Sequence, residues 1–190
     1  FGEKNLIEKI LKNKKIDKNS YEIIHTEDFI KGEDSALTAA KRGKKTSMWM
    51  SIESVKNKTS DIILSAGNTG ALFVIAKLNL SMIENIDKPA LSGLWPNKKG
   101  LNVVLDLGAN IECNEKNLKD FSIMGAALHK SLFPNEVSKV ALLNIGSEEL
   151  KGSTTIKNTF QELSKQNSTL YEFKGYIEGN QIMNGEVNVI

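Results

Sequence analysis

Three glycine-containing turns hold the polar side chains that are best suited to chemistry in this sequence. They read SAGNTG at 65–70, DLGAN at 106–110 and NIGSEELKG at 144–152. Each turn follows an apolar run typical of a buried strand and precedes a segment with helical character. Ligands of open α/β sheets bind outside the carboxyl ends of the strands, so the three turns together predict an active site.

The first turn has the composition of an anion-binding loop. Gly67 and Gly70 allow the backbone to approach a ligand closely, and Ser65, Asn68 and Thr69 add side-chain donors. The free N–H groups at the start of the following helix, together with the helix dipole, favour negative charge. The alternative is an ordinary helix start in which Asn68 is the capping residue. The turn matches neither a Walker A loop nor the glycine pattern of a dinucleotide-binding turn.

The second turn places a carboxylate and a carboxamide on either side of a glycine. Asp106 and Asn110 flank Gly108, and we expect the carboxylate to orient a donor group or to hold a lysine. The alternative is that both side chains only form the turn, as Asp and Asn often do.

The third turn adds a positive charge. Its candidate ligand-binding positions are Asn144, Gly146, Lys151 and Gly152. A lysine beside a helix start is a natural partner for a phosphate or a developing oxyanion, so Lys151 is the first candidate for a catalytic residue. The alternative interpretation is a solvated surface loop.

A basic stretch lies at the break near Gly43, between the two helical pieces predicted at 34–57. It consists of Lys41, Arg42, Lys44 and Lys45. Charge runs of this kind are usually solvated helix faces, but an acidic partner or an anionic substrate would make the stretch a docking surface. Arg42 is the only arginine, and a lone arginine could equally pair with a buried carboxylate inside the domain.

Composition narrows the class of protein. The 190 residues are 40% hydrophobic and 25% charged with a net charge of +2, which fits a soluble globular protein and gives no support for nucleic-acid binding. The single cysteine, Cys113, excludes an internal disulfide framework and a cysteine-rich zinc site, and fits a reducing cytoplasm. No metal-ligand cluster is visible. Because the chain starts without Met and ends on a strand-like run, we expect an internal fragment of a longer protein, folded as one α/β domain.

The predicted elements alternate between helices and strands. Helices are predicted at 2–13, at 34–57 in two pieces broken near Gly43, and at 68–82, 115–132 and 153–166. Strands are predicted at 21–25, 61–65, 90–95, 101–106, 139–145, 171–178 and 186–190. The residues at 96–100 have hairpin chemistry, which predicts a mixed sheet. The pattern as a whole predicts a three-layer αβα sandwich with a mixed, mostly parallel sheet.

Five motifs in order resemble one known family. They are KKTSM at 44–48, SAGNTGA at 65–71, KPAL at 88–91, LDLGAN at 105–110 and LLNIGSEELKG at 142–152. Their order and spacing resemble the PlsX family of bacterial acyl-[acyl-carrier-protein]:phosphate acyltransferases, from about residue 20 to the end. The sequence departs from the family pattern at three places: residues 42–44 replace a more basic run, Thr46 stands where serine is usual, and Lys88 stands where arginine is usual.

The resemblance implies a fold and a reaction. It implies the fold of isopropylmalate dehydrogenases and phosphate acetyltransferases, in a homodimer that needs neither cofactor nor metal. The implied reaction moves a fatty acyl group from acyl carrier protein to inorganic phosphate, and a membrane acyltransferase then uses the acyl phosphate on glycerol 3-phosphate. The implied location is the cytoplasm, with peripheral contact at the inner face of the membrane left open.

From the implied reaction we predict roles for the three turns. Residues 67–70 would bind phosphate or the pantetheine arm, Lys151 would stabilise the oxyanion or the leaving thiolate, and Asp106 and Asn110 would position these groups. The basic stretch would dock acyl carrier protein. Two other functions stay open: a coenzyme A-dependent enzyme like phosphate acetyltransferase, and a non-catalytic anion-binding scaffold of lipid synthesis.

Overall fold

The chain folds into two compact units that combine helices and strands. The computed structural model describes residues 1–148 and 151–190, and the units are Phe1–Ile83 and Glu84–Ile190. The α/β class predicted from the sequence is confirmed. Among the described residues, every helix is too short or too polar to cross a lipid bilayer.

The first unit is mainly helical. Its helices are α1 (Lys4–Lys14), α2 (Ala36–Lys41), α3 (Ser47–Lys56) and α4 (Thr69–Leu80), with a short 3-10 helix at Lys18–Ser20. Both α2 and α3 pack against α4, and the buried core includes Ala39, Ile52, Ala71 and Ile75. The predicted break near Gly43 is confirmed, because α3 begins only where Thr46 caps it through the Trp49 N–H.

Two strands predicted in this unit are wrong. Residues 61–65 form no strand and pair with no described segment, and Ile62 and Leu64 are 83% and 100% exposed. The 21–25 segment contributes only an isolated bridge between His25 and Gly2. An apolar run sets the local conformation, but a strand also needs a partner, and the described residues of this unit offer none to 61–65.

The second unit begins with the hairpin predicted from the 96–100 turn. Strands β1 (Ser92–Asn97) and β2 (Gly100–Leu105) pair antiparallel, with Asn97 opposite Gly100 at the turn. Gly100 adopts φ +146°, and the Asn97 carboxamide oxygen accepts the Lys99 N–H at 2.6 Å. The turn therefore uses the conformational freedom of glycine and a local Asn hydrogen bond.

A second pair of strands in this unit is parallel. Strands β3 (Lys139–Leu143) and β4 (Glu172–Ile177) form it, and Val189 makes parallel bridges both to Val103 on β2 and to Val140 on β3. The predicted strand at 186–190 is therefore present only as isolated bridges. These bridges connect the two small sheets. The polar turns at 106–110 and 144–152, which follow β2 and β3, therefore begin on either side of the segment that contains Val189.

Two helices cover one face of these strands. They are α5 (Glu115–Leu132) and α6 (Thr154–Lys165), and a 3-10 helix at Gly179–Asn184 follows β4. The core beneath α5 and α6 includes Val103, Ala126, Val140, Leu163 and Val189. An ion pair between Lys119 and Glu162 joins the two helices on the outside.

Helix α5 packs tightly against the strands at Gly125. A Cβ added there would lie 2.5 Å from Val189 Cγ1 and 2.8 Å from Leu105 Cδ2. We expect Gly125→Ala to lower the free energy of unfolding by about 1–3 kcal/mol through overpacking. Urea denaturation measures the change. Gly179→Ala is the matched control, because no atom lies within 4 Å of its Cβ position; equal effects of the two changes would contradict the prediction.

A buried histidine at the end of α5 makes stability depend on pH. His129 is 1% exposed and its Nδ1 lies 2.9 Å from Ser138 Oγ. Burial lowers the pKa of His129 below 6.5, with Lys130 adding to the shift and Glu136 opposing it. The unfolded chain therefore binds the proton more readily, and the free energy of unfolding should fall as the pH drops below about 6.5. Urea denaturation of His129→Gln between pH 7.5 and 5.5 should show a smaller fall in the free energy of unfolding. An unchanged fall would mean that other groups cause it.

Candidate active site

The first glycine turn is shaped by the carboxamide of Asn68. Its Oδ1 accepts the Ala71 N–H at 2.9 Å and so caps α4, as the alternative interpretation expected. Its Nδ2 donates to the carbonyl oxygens of Lys31 at 3.3 Å, Gly32 at 3.0 Å and Asp34 at 2.8 Å. The side chain therefore joins the turn to residues 26–34, called the anchored loop below.

The remaining groups of this turn are open to a ligand. Thr69 and Gly70 are exposed, and their backbone N–H groups have no acceptor among the described residues. A Cβ added at Gly67 would lie 3.4 Å from Met48 Cε and 3.5 Å from Ser65 Oγ, which is ordinary contact. The packing of the described residues thus leaves room for a Cβ at 67, and close approach of a ligand to this glycine stays a prediction.

A pocket of about 240 Å³ lies beside this turn, within the first unit. Its polar lining comes from three serines, Ser47 and Ser51 on α3 and Ser65 before the turn. Ile30 of the anchored loop and Met48 supply part of its apolar lining. Because Gly67 also lines it, the pocket lies where the sequence predicts an anion or a pantetheine arm.

The basic stretch divides into one paired and three unpaired cations. Arg42 Nη1 lies 2.8 Å from Asp34 Oδ2, whose side chain is 12% exposed, and donates to the Phe29 carbonyl oxygen at 3.1 Å. Pairing of Arg42 with a largely buried carboxylate is the alternative that the sequence left open for a lone arginine. Lys41, Lys44 and Lys45 are exposed, and none of them makes an ion pair with a described residue.

The second turn is held together by its own polar side chains. Asp106 accepts the N–H groups of Leu91 at 2.7 Å, Ala109 at 3.3 Å and Asn110 at 2.8 Å. The Asn110 carboxamide donates to Asp106 at 2.9 Å and to the Pro89 carbonyl oxygen at 2.8 Å. The two side chains therefore fix the turn against the segment that leads into β1. Their contribution to ligand binding stays a prediction.

A second pocket of about 320 Å³ lies at the carboxyl ends of β2 and β3. Asp106, Asn110 and Cys113 line it together with apolar side chains such as Leu118 and Phe121. Burial raises the pKa of the Cys113 thiol, the charge of Asp106 raises it further and Lys88 opposes both. The thiol is therefore protonated at neutral pH, in agreement with a structural role for this cysteine.

Asn144 bonds to both ends of the third turn. It is 6% exposed, its Oδ1 accepts the Ile145 N–H at 2.9 Å, and its Nδ2 donates to the Lys151 carbonyl oxygen at 3.1 Å. Gly152 adopts φ +91°, and a Cβ there would lie 2.3 Å from Asn144 Oδ1. Glycine is thus required at 152 by its backbone conformation and by contact with Asn144.

The Lys151 side chain extends from this turn toward solvent. It is 52% exposed, and its Nζ lies 3.4 Å from Glu148 Oε2. The pKa of Glu148 is lowered by a hydrogen bond from its own backbone and then by Lys151. The lysine lies over Gly146, where a Cβ would come within 2.7 Å of its Cδ. Glu149 and Leu150, which belong to the same predicted motif, lie outside the described residues.

The structure thus groups the predicted residues by unit. In the second unit, Asp106 contacts Asn110, and Asn144 contacts Lys151 and Gly152, at turns that follow β2 and β3. In the first unit, the anchored loop connects Asn68 to Arg42. Sequence reasoning missed this loop, although the turn-forming cluster GEDS at 32–35 is a signal for it.

Comparison with known proteins gives a consistent result over the whole chain. A family model described as "Fatty acid synthesis protein" matches residues 1–190. A phosphate acyltransferase of Pelagibacter ubique is 67% identical over 190 residues, covering 100% of this chain and 56% of the relative. A phosphate acyltransferase of Maricaulis maris is 43% identical over 169 residues, covering 89% and 48%. The chain therefore spans about half the length of the curated relatives it matches.

Proposed function

We propose a function that starts from one finding: this chain belongs to the family described as "Fatty acid synthesis protein". The proposed activity is transfer of a fatty acyl group from the thioester of acyl carrier protein to inorganic phosphate, which gives acyl phosphate for phospholipid synthesis. The observation that supports it most strongly is the 67% identity over all 190 residues with a protein named phosphate acyltransferase.

The proposed reaction needs no covalent enzyme intermediate. A phosphate oxygen attacks the thioester carbonyl carbon, the C–O bond forms, and the C–S bond breaks with release of the pantetheine thiolate. A thiol with a pKa of about 8.5 is a good leaving group. The protein must hold phosphate beside the thioester and stabilise negative charge on the carbonyl oxygen.

The proposed division of labour between the turns follows from the reaction, since the phosphate and the carbonyl oxygen each need donor groups. We assign charge stabilisation to Lys151, whose amine is half exposed on a turn that Asn144 and Gly152 hold in place. The backbone N–H groups of Thr69 and Gly70 are the proposed phosphate or pantetheine donors, with Ser65 and Gly67 beside them. In this proposal Asn68, Asp106, Asn110 and Gly146 shape the turns, and the basic stretch receives the carrier protein.

The finer architecture and the assembly are also proposals. The parallel bridges from Val189 to β2 and β3 support a mixed sheet in the second unit. The three-layer sandwich with a mostly parallel sheet, in a single α/β domain, is proposed from the resemblance. The homodimer is proposed from the resemblance, with α4 as a candidate contact on which Leu78 is 63% exposed. The proposed location is the cytoplasm, with peripheral contact at the inner face of the membrane left open, and a membrane acyltransferase would consume the acyl phosphate.

Phosphate-dependent release of thiol from palmitoyl-acyl carrier protein tests this function. The purified protein should release thiol only when phosphate is present, and acyl phosphate should accumulate. The same assay with palmitoyl- and acetyl-coenzyme A separates the two enzyme alternatives by donor preference. Thiol release that does not depend on phosphate, or a preference for acetyl-coenzyme A, would contradict the proposal.

A further inference from the structure

The anchored loop has a fixed backbone although it lacks regular secondary structure. The Asp28 carbonyl oxygen accepts the Ser47 N–H at 2.9 Å, and the Phe29 carbonyl oxygen accepts from Arg42 at 3.1 Å. The Asn68 carboxamide bonds to three carbonyl oxygens near its other end. Side chains on this loop are therefore presented to solvent from a defined position.

Two large apolar side chains are exposed in this part of the first unit. Phe29 is 60% exposed, and Leu37 at the start of α2 is 64% exposed. Leu37 shares a helix face with Lys41, since the two lie four residues apart. An aromatic ring held at the surface by a rigid loop loses little conformational entropy on binding, which suits a binding anchor.

Exposed lysines lie near these two side chains in the sequence. From residue 26 to residue 45 the sequence has five basic and four acidic residues, a net charge of +1. Arg42 is paired with Asp34, whereas the four lysines at 31, 41, 44 and 45 make no ion pair with a described residue and remain available to a partner. The exposed members of the set, called the docking patch below, are Phe29, Leu37, Lys31, Lys41, Lys44 and Lys45.

We propose that the docking patch binds the acidic protein that carries the acyl chain, with Phe29 and Leu37 as apolar anchors and the lysines as rim. The proposal rests on the proposed function, from which it takes the identity of the partner. Charge complementarity favours an acidic protein, and apolar anchors inside a polar rim are typical of protein interfaces. A bilayer would need a wider apolar face to insert than two side chains provide.

The proposal gives Arg42 a role different from that of its neighbours. Arg42 is a positioning residue, because its Nη1 atom contacts both the Asp34 carboxylate and the Phe29 carbonyl oxygen. A lysine keeps the charge, but its ammonium nitrogen lies one bond closer to the backbone than Nη1 and does not reach the same position between the two oxygens. Arg42→Lys should therefore weaken carrier binding, whereas a residue acting only through its charge would tolerate the change.

Binding of fluorescently labelled palmitoyl-acyl carrier protein to the purified protein tests the proposal. Phe29→Ser should raise Kd by about 10-fold or more, as expected for an interface anchor. Arg42→Lys should raise it in the same direction. Leu6→Ser is the matched control, because Leu6 is an equally exposed apolar residue, at 61%, on α1 of the same unit. In the acyl-transfer assay, KM for the carrier should rise while KM for phosphate and kcat stay unchanged.

The outcomes separate this proposal from the proposed function. If Phe29→Ser and Leu6→Ser leave Kd equally unchanged, or if the unmodified protein does not bind the carrier, the docking patch is wrong whatever the activity. If carrier binding depends on Phe29 but no acyl phosphate forms, the docking patch is supported and the proposed function is wrong. If Phe29→Ser leaves Kd for the carrier unchanged but abolishes binding to vesicles of phosphatidylcholine and phosphatidylglycerol, the patch binds a membrane and the proposal is wrong. If the same change leaves Kd unchanged but alters the sedimentation coefficient, the patch binds a second copy of this chain and the proposal is wrong.

Discussion

Replacing Lys151 with alanine should lower kcat for acyl transfer by about 100-fold or more, the loss expected when a group that stabilises transition-state charge is removed. The amine is half exposed and its ion-pair partner Glu148 is 64% exposed, so the pair is open to solvent. Exposed ion pairs contribute little to stability. The change in kcat should therefore occur without a comparable change in the free energy of unfolding.

Lys4→Ala provides the matched control for this experiment. Lys4 is 55% exposed and lies 4.0 Å from Glu8, an ion pair similar in exposure to that of Lys151. It belongs to α1, far in sequence from the three turns, and its replacement should leave kcat unchanged. Lys151→Arg should recover part of the activity because it keeps the charge. Near-normal turnover of Lys151→Ala, with an unchanged urea midpoint, would remove Lys151 from the mechanism.

Local signals were sufficient to predict most helices and the hairpin. The starts of α3, α4 and α5 follow Thr46, Asn68 and Asn114, each of which caps its helix with a side-chain oxygen. These residue types stabilise helix starts by contacts within one turn, which a sequence displays directly. The strand predicted at 61–65 failed because strand pairing depends on a distant segment.

The candidate site was predictable as a set of residues but not as a set of contacts. The sequence identified Asn144, Lys151 and Gly152 as ligand-binding candidates, whereas the structure shows Asn144 bonded to the turn itself. Likewise, nothing local shows that Arg42 pairs with Asp34, which lies eight residues earlier. Residue types indicate what a side chain can bind, but its partner is decided by the fold.

Replacing Asn144 with alanine should lower kcat by about 10- to 100-fold, because displacement of a catalytic group by about 1 Å can cost that much. The change removes both hydrogen bonds that hold the ends of the turn carrying Lys151. KM for phosphate should change little if phosphate binds at the first turn. Gly152→Ala should act in the same direction, since its Cβ would displace the Asn144 carboxamide. Steady-state kinetics with palmitoyl-acyl carrier protein measures both variants.

A double-mutant cycle distinguishes positioning of Lys151 from a general structural role. Asn144→Ala leaves a buried site with unpaired backbone groups, which costs about 1–3 kcal/mol of stability, so the assays are run well below the unfolding transition. If Asn144 acts through Lys151, adding Asn144→Ala to Lys151→Ala should change kcat by less than about 2-fold. If Asn144 only supports the fold, the same loss should appear in both backgrounds. Additive effects on kcat would therefore contradict the assignment of Asn144 as the residue that positions Lys151.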